Sequence, residues 1–248
     1  MKIKLFFIKS FAFVLLSCLT FSSCKKCGQS VGEPSEKTVQ LNPFSSIRGH
    51  GKLSLNLIQD TSFTAVIKSE EGLIDNVSFE IVNDTLNIYN DNKCEAFRNY
   101  EGSVEITLGV PSLKSMLFTS PTQLKTLDTL VGRHLYLYAY ECEANGELLL
   151  NYDITYLRMR SGTSTLKVSG KSDMLWVNEQ AYSKIDAFNM ISDSVVVYFN
   201  STSLVQVNPQ NYFKVYLGGS GVLEYKGSPT VMEVEKLVES FSTLRKVD

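Results

Sequence analysis

Four segments in the second half of the chain recur at a constant interval, and that interval limits the possible folds more than any other feature. Leu166-Lys167-Val168-Ser169-Gly170, Ile185-Asp186-Ala187-Phe188-Asn189, Leu204-Val205-Gln206-Val207-Asn208 and Leu223-Glu224-Tyr225-Lys226-Gly227 start at 166, 185, 204 and 223, an interval of 19 residues each time. Leu148 opens an earlier member. A second series runs between them, from Leu135-Tyr136-Leu137 through Leu157-Arg158-Met159, Leu175-Trp176-Val177 and Val195-Val196-Val197 to Phe213-Lys214-Val215. Each repeat therefore holds at least two short β-segments. A unit this small cannot bury its apolar side alone. Stacked on a copy, each strand pairs in parallel with its equivalent at roughly 4.8 Å, and the inward Leu, Val and Ile side chains form ladders. A propeller needs longer, four-stranded repeats, and an antiparallel sandwich gives no reason for a fixed interval. The expected fold is all-β, a right-handed parallel β-helix-like solenoid with coils of roughly 19 residues in the second half. The hand follows from that of parallel crossovers.

The rest of the chain after Val39 has the same strand character. Leu53-Ser54-Leu55-Asn56-Leu57, Leu86-Asn87-Ile88 and Val104-Glu105-Ile106-Thr107-Leu108 alternate apolar and polar residues, the period of a half-buried strand. Asn, Asp, Gly and Pro punctuate the runs, as turns require. Near the end, Val234, Leu237, Val238, Phe241 and Leu244 fit a terminal helix or two short strands, and strands are the preferred reading.

The N-terminus reads as an export signal. Lys2, Lys4 and Lys9 precede an apolar run to Phe21 that is too short to span a bilayer. Phe21-Ser22-Ser23-Cys24 follows. Small residues before a cysteine resemble a bacterial lipobox, in which the cysteine takes a diacylglyceryl group and an acyl chain such as palmitate and becomes residue one. Three regions are expected: signal peptide 1–23, a polar tether 24–38, and a β-domain 39–248. Cleavage would remove three lysines, moving the net charge from −2 to −5. A mildly acidic domain without a basic stripe argues against nucleic acid as partner. The expected location is the cell envelope, held by lipid, with the outer membrane favoured. Lys25 and Lys26 stand where surface-exported lipoproteins sometimes carry acidic residues, so the leaflet stays open. Cys27, Cys94 and Cys142 remain after processing, in no zinc-like spacing. A Cys94–Cys142 disulfide is compatible with an oxidising compartment, and a buried thiol is the alternative.

Several segments also occur in a familiar order. Phe44-Ser45-Ser46-Ile47-Arg48-Gly49-His50-Gly51 leads into Leu53-Ser54-Leu55, Leu73-Ile74-Asp75-Asn76-Val77 precedes Leu86-Asn87-Ile88, and Val104-Glu105-Ile106-Thr107-Leu108-Gly109-Val110-Pro111 comes later. Gly218-Gly219-Ser220-Gly221-Val222-Leu223-Glu224-Tyr225 stands near the end. Over nearly all of residues 39–248 this resembles the head GIN domain of auto-transporter adhesins, in its lipoprotein form. The resemblance implies a right-handed β-helix-like fold and no catalytic residues. Of the family's recurring Gly-Ser-Gly turns only Gly219-Ser220-Gly221 is complete.

Candidate sites follow from the strand period. With Leu135 and Leu137 inward, Tyr136, Tyr138 and Tyr140 point outward. Later coils would add Arg158 and Arg160, then Trp176, Val196 and Tyr198, then Lys214 and Tyr216. Aromatic rings beside cations suit sugar rings and anionic groups. The competing expectation is that residues 39–110 cover this face, since large exposed apolar patches are uncommon. Catalytic equipment is not apparent. Asp173, Glu179, Asp186 and Asp193 are scattered, Glu141 and Glu143 flank Cys142 without a basic residue on the same strand, and His50 and His134 are the only histidines. Gly219-Ser220-Gly221 reads as a tight corner needing positive φ, not as a nucleophile elbow. No enzyme, cofactor or metal is expected. The favoured function is an adhesin-like module that binds glycan or protein. The alternatives are a structural or self-assembling envelope component, since open solenoid ends invite stacking, and a carbohydrate-active enzyme.

Overall fold

The computed structural model describes residues 32–92, 104–238 and 240–248. Cys24, Cys27 and Cys94 lie outside the described residues, as do the proposed signal peptide and the first part of the tether.

The described chain is a β-solenoid of about seven turns. Its strands are β1 (Pro34–Gln40), β2 (Ser46–His50), β3 (Leu53–Gln59), β4 (Thr64–Glu70), β5 (Val77–Val82), β6 (Thr85–Asn90), β7 (Glu105–Val110), β8 (Ser115–Phe118) and β9 (Thr122–Thr126). They continue with β10 (Leu130–Tyr140), β11 (Ala144–Arg160), β12 (Thr165–Glu179), β13 (Lys184–Ser201), β14 (Leu204–Gly219), β15 (Val222–Tyr225), β16 (Val231–Lys236) and β17 (Thr243–Lys246). One short helix, α1 (Glu71–Ile74), interrupts them.

In β11 to β14 a whole coil is one long, bent strand. The inward parity changes at the bend: Leu148, Leu150 and Tyr152 are buried before it in β11, and Thr155, Leu157 and Met159 after it. Each coil therefore contributes two arms, and each arm lines one side of a single core. The first arm carries the ladder Ile67, Ile106, Leu55, Leu124, Gly146, Leu166, Ile185, Val205, Leu223, Leu244. The second carries Ile81, Leu86, Ile47, Met116, Leu137, Leu157, Val177, Val197, Val215, Val234. From β2 and β3 onward the pairings between successive coils are parallel, so like side chains stack on like. Gly146 is the exception in the first ladder. A Cβ there would fall 2.2 Å from the Leu124 carbonyl oxygen, so only glycine lets the two coils approach. The Gly219 corner is as expected, with φ +72.

The register corrects the repeat in detail. Leu166 pairs with Ile185, but Ile185 pairs with Val205, while Leu204 pairs with Val222. Leu148 pairs with Val168, so Gly146 is the true equivalent of Leu166. Register shifts between Lys167 and Ser169, and between Asp186 and Ile191, absorb residues as bulges do. The coil length therefore varies around the period read from the sequence.

The two ends differ. At the N-terminal end, β4 runs antiparallel to β7, β1 antiparallel to β4, and β5 antiparallel to β6. With α1, which buries Leu73 and Ile74, they close the first coil. The first strand, β1, begins at Pro34, inside the stretch read as tether. The sequence conceals this because β1 is held by backbone pairing and buries almost no side chain. Its charged, proline-led surface suits an exposed edge. The C-terminus forms two strands, β16 and β17, which extend the two arms by one further rung.

Candidate binding face

The outward side of the second arm collects the aromatic residues. Because strands pair in parallel and in register, outward residues form columns along the solenoid. One column reads Ser115, Tyr136, Tyr156, Trp176, Val196, Lys214. The next reads Leu117, Tyr138, Arg158, Asn178, Tyr198, Tyr216. Tyr140 and Arg160 begin a third.

The rings touch in a continuous chain. Tyr140 stacks on Tyr138 at 6.1 Å and Tyr138 on Tyr136 at 6.2 Å. Tyr156 meets Tyr136 at 5.9 Å and Tyr138 at 5.8 Å, and Trp176 follows at 6.2 Å from Tyr156. A smaller pair, Tyr198 and Tyr216, lies at 6.0 Å further along. Arg158 sits over the Tyr140 ring at 5.8 Å, and Lys214 over Tyr216 at 5.2 Å. These separations lie in the range where ring quadrupoles and cations attract. Burial among its neighbours raises the Tyr138 hydroxyl pKa, as do the nearby Tyr156, Tyr140 and Tyr136. The Tyr138 phenol thus stays a neutral donor at physiological pH.

The described part of residues 39–110 does not cover this face. Strands β2 and β3 pair with β8 and β9, so the N-terminal half stacks on the end of the solenoid and lengthens it. Trp176 is 38% exposed, Arg160 is exposed, and the tyrosines are half-buried by one another. The patch is possible without a cover because its rings shield each other's faces while their polar edges remain available to water.

Tyr136, Tyr138, Tyr140, Arg158, Arg160 and Trp176 therefore share one face, and Tyr156 stands in the middle of it. Sequence reading missed Tyr156 because it aligned Leu157 with Leu135. The register pairs Leu157 with Leu137 and Thr155 with Leu135. The buried Thr155, polar by type, hid the inward position that would have placed Tyr156 outward.

The remaining candidates are dispersed. His50 stacks on Tyr89 at 4.5 Å near the N-terminal end. His134 is exposed on β10. Among the described residues no three His, Cys, Asp or Glu side chains cluster as a metal site would need. Cys142 is a buried free thiol that donates to the Phe118 carbonyl at 3.4 Å, and burial raises its pKa. Glu179 differs from the other scattered acids. It is wholly buried, in register between Met159 and Phe199. Its Oε1 accepts from the backbone N–H groups of Ala181 at 2.9 Å and Ser183 at 3.1 Å. The Ser201 hydroxyl donates to the Ala181 carbonyl, and Oε2 has no partner. Desolvation, opposed by those donors, pushes the carboxyl up to about 7.

Comparison with known proteins accords with this architecture. A family model described as "Putative auto-transporter adhesin, head GIN domain" matches residues 43–229. The chain belongs to the head GIN domain family. A putative adhesin from Bacteroides fragilis superposes with a TM-score of 0.77 at 17% identity, over 87% of this chain and 97% of that one. A putative adhesin from Parabacteroides merdae gives 0.61 at 19% identity, over 88% and 97%. A putative lipid binding protein from Parabacteroides distasonis gives 0.54 at 17% identity, over 88% and 98%. At these identities the likeness is one of fold. No functionally curated protein matches the sequence. Membership of the head GIN domain family, described as an auto-transporter adhesin domain, points to a protein of the cell envelope or surface.

Proposed function

We propose that this head GIN domain protein is a lipid-anchored, non-catalytic binding module that recognises glycan through the Tyr136–Trp176 face. The observation that carries the reading is the continuous row of rings left open along the solenoid, with Arg158 over one end. Pyranose rings present apolar C–H faces that pack on aromatic faces, and their hydroxyls pair with phenol and amide edges. A rigid ladder holds the rings in place before ligand arrives, so little ordering entropy is lost on binding.

Glycan-array binding by the wild-type chain, Tyr156→Ala and Trp176→Ala tests this. The wild type is expected to bind, and each variant to lose roughly tenfold or more in affinity, as central aromatic contacts do. Thermal stability should change little for Trp176→Ala, whose indole is already part-exposed. Full binding by both variants would remove the face from consideration, and an array-negative wild type would favour a protein ligand instead. The anchor is proposed on the Ser22-Ser23-Cys24 motif. Cys24→Ser is expected to move the protein from the membrane to the soluble fraction of cells; unchanged sedimentation with membranes would contradict it.

A further inference from the structure

The outer surfaces of the two arms handle charge by opposite rules. On the first arm an outward column runs Lys125, Glu147, Lys167, Asp186 in register. It ends on the Glu224–Arg245 ion pair. From Lys125 to Asp186 the signs alternate coil by coil, Gln206 separates Asp186 from Glu224, and Lys167 lies 3.8 Å from Glu147, so most of the charge on this column is balanced within it.

The aromatic face has no such arrangement. Arg158 and Arg160 stand beside the rings with no ion pair among the described residues. No Asp or Glu occupies an outward ladder position on this arm from β8 through β14. The first acid is Glu233 on β16, and it takes Lys214 at 3.1 Å. Arg158 is half-buried, with its Nε sealed from solvent and without an acceptor, and Asn178, next in register, has its Oδ1 sealed without a donor. Holding a guanidinium partly out of water without a counter-ion costs free energy. Here that occurs in a chain of net charge −2, where carboxylates were available and the other arm used them.

We infer that the ligand supplies the missing charge: the face takes a carboxylate-bearing glycan, such as a uronic-acid polymer. Arg158 and Arg160 pair with the carboxylates while the Tyr and Trp rings hold the pyranose faces. Guanidinium suits this role because its planar fork matches a carboxylate. The assignment rests on the glycan-binding reading above and narrows it to one ligand class.

Trp176 is the only tryptophan in the chain. Its emission therefore reports the site without a label. The purified chain is titrated with hexamers of galacturonate, mannuronate and glucuronate and with their methyl esters, at low salt. At least one acid is expected to shift the Trp176 emission, and its ester to bind about tenfold more weakly, the worth of one good ion pair. In Arg158→Gln/Arg160→Gln the acid should lose its advantage, so that acid and ester bind about equally. Equal affinity for acid and ester, with both lost in Tyr156→Ala, would overturn the carboxylate assignment while the glycan reading stands. No response to any acid or ester by a wild type that is also array-negative would overturn both.

Discussion

Val177→Glu is expected to leave no cooperatively folded protein. Val177 is wholly buried in the second ladder, between Leu157 on one coil and Val197 on the next. Both neighbours are also fully buried and apolar. A carboxylate at this rung would meet neither a donor nor water, and an unpaired buried charge costs several kcal/mol. That is comparable to the whole stability of a domain, about 5–15 kcal/mol. Because each coil is supported only by its two neighbours, a broken central rung also divides the array. Val177→Ala is the control for lost packing alone and should cost roughly 2 kcal/mol with the fold retained. Thermal and urea melts followed by circular dichroism distinguish the two. A Val177→Glu chain that melts like Val177→Ala would mean that this ladder is not the core.

Two residues further along the same strand, the opposite substitution is expected to stabilise. Glu179 occupies an inward position too, but at the end of the arm, where the chain turns and the Ala181 and Ser183 N–H groups reach its Oε1. These donors keep the acid tolerable without fully compensating burial, and the folded-state pKa stands at about 7, above the ordinary 4.5. Below about pH 4.5 the group is protonated in both the folded and the unfolded chain, and no stability is lost. As the pH rises from there through 7, the unfolded chain ionises freely while the folded chain resists, so stability falls. The full loss by pH 8 is about 3 kcal/mol. Glu179→Gln keeps an oxygen for the two N–H groups and removes the titration. The variant should match the wild type near pH 4.5 and exceed it at pH 8 by about 3 kcal/mol, several degrees in melting temperature. A wild-type melting temperature that does not decline between pH 5 and 8, relative to Glu179→Gln, would rule out the buried carboxyl.

The contrast between these two positions shows what the sequence reveals and what it hides. The Leu, Val and Ile ladders were legible because stacking demands the same residue type at a steady interval, and no other β architecture does. The ends were not, because an end does not repeat: β1 is strand by backbone pairing alone, and its residues carry no apolar alternation. Glu179 reads as the polar end of a strand beside Asn178 and Gln180, and only the turn donors make its burial possible. Most of the aromatic face followed from period two applied to Leu135 and Leu137. Tyr156 did not, because a buried threonine and bulges in later coils shift the phase by amounts a constant interval cannot record. The unpaired state of Arg158 was legible only once the columns were in register, since its nearest charges in sequence, Asp153 and Arg160, give no hint of what faces it across coils.

Collisional quenching of Trp176 tests the open, cationic character of the face most directly. The single indole, 38% exposed, should be quenched readily by neutral acrylamide. Measured against free tryptophanamide, iodide should gain quenching efficiency and caesium lose it, because Arg158 and Arg160 concentrate anions around the rings and repel cations. The difference should shrink as added salt screens those charges and disappear in Arg158→Gln/Arg160→Gln. An indole that resists acrylamide in the folded chain, or one at which caesium gains and iodide loses efficiency on that same scale, would contradict an open face that awaits an anionic ligand.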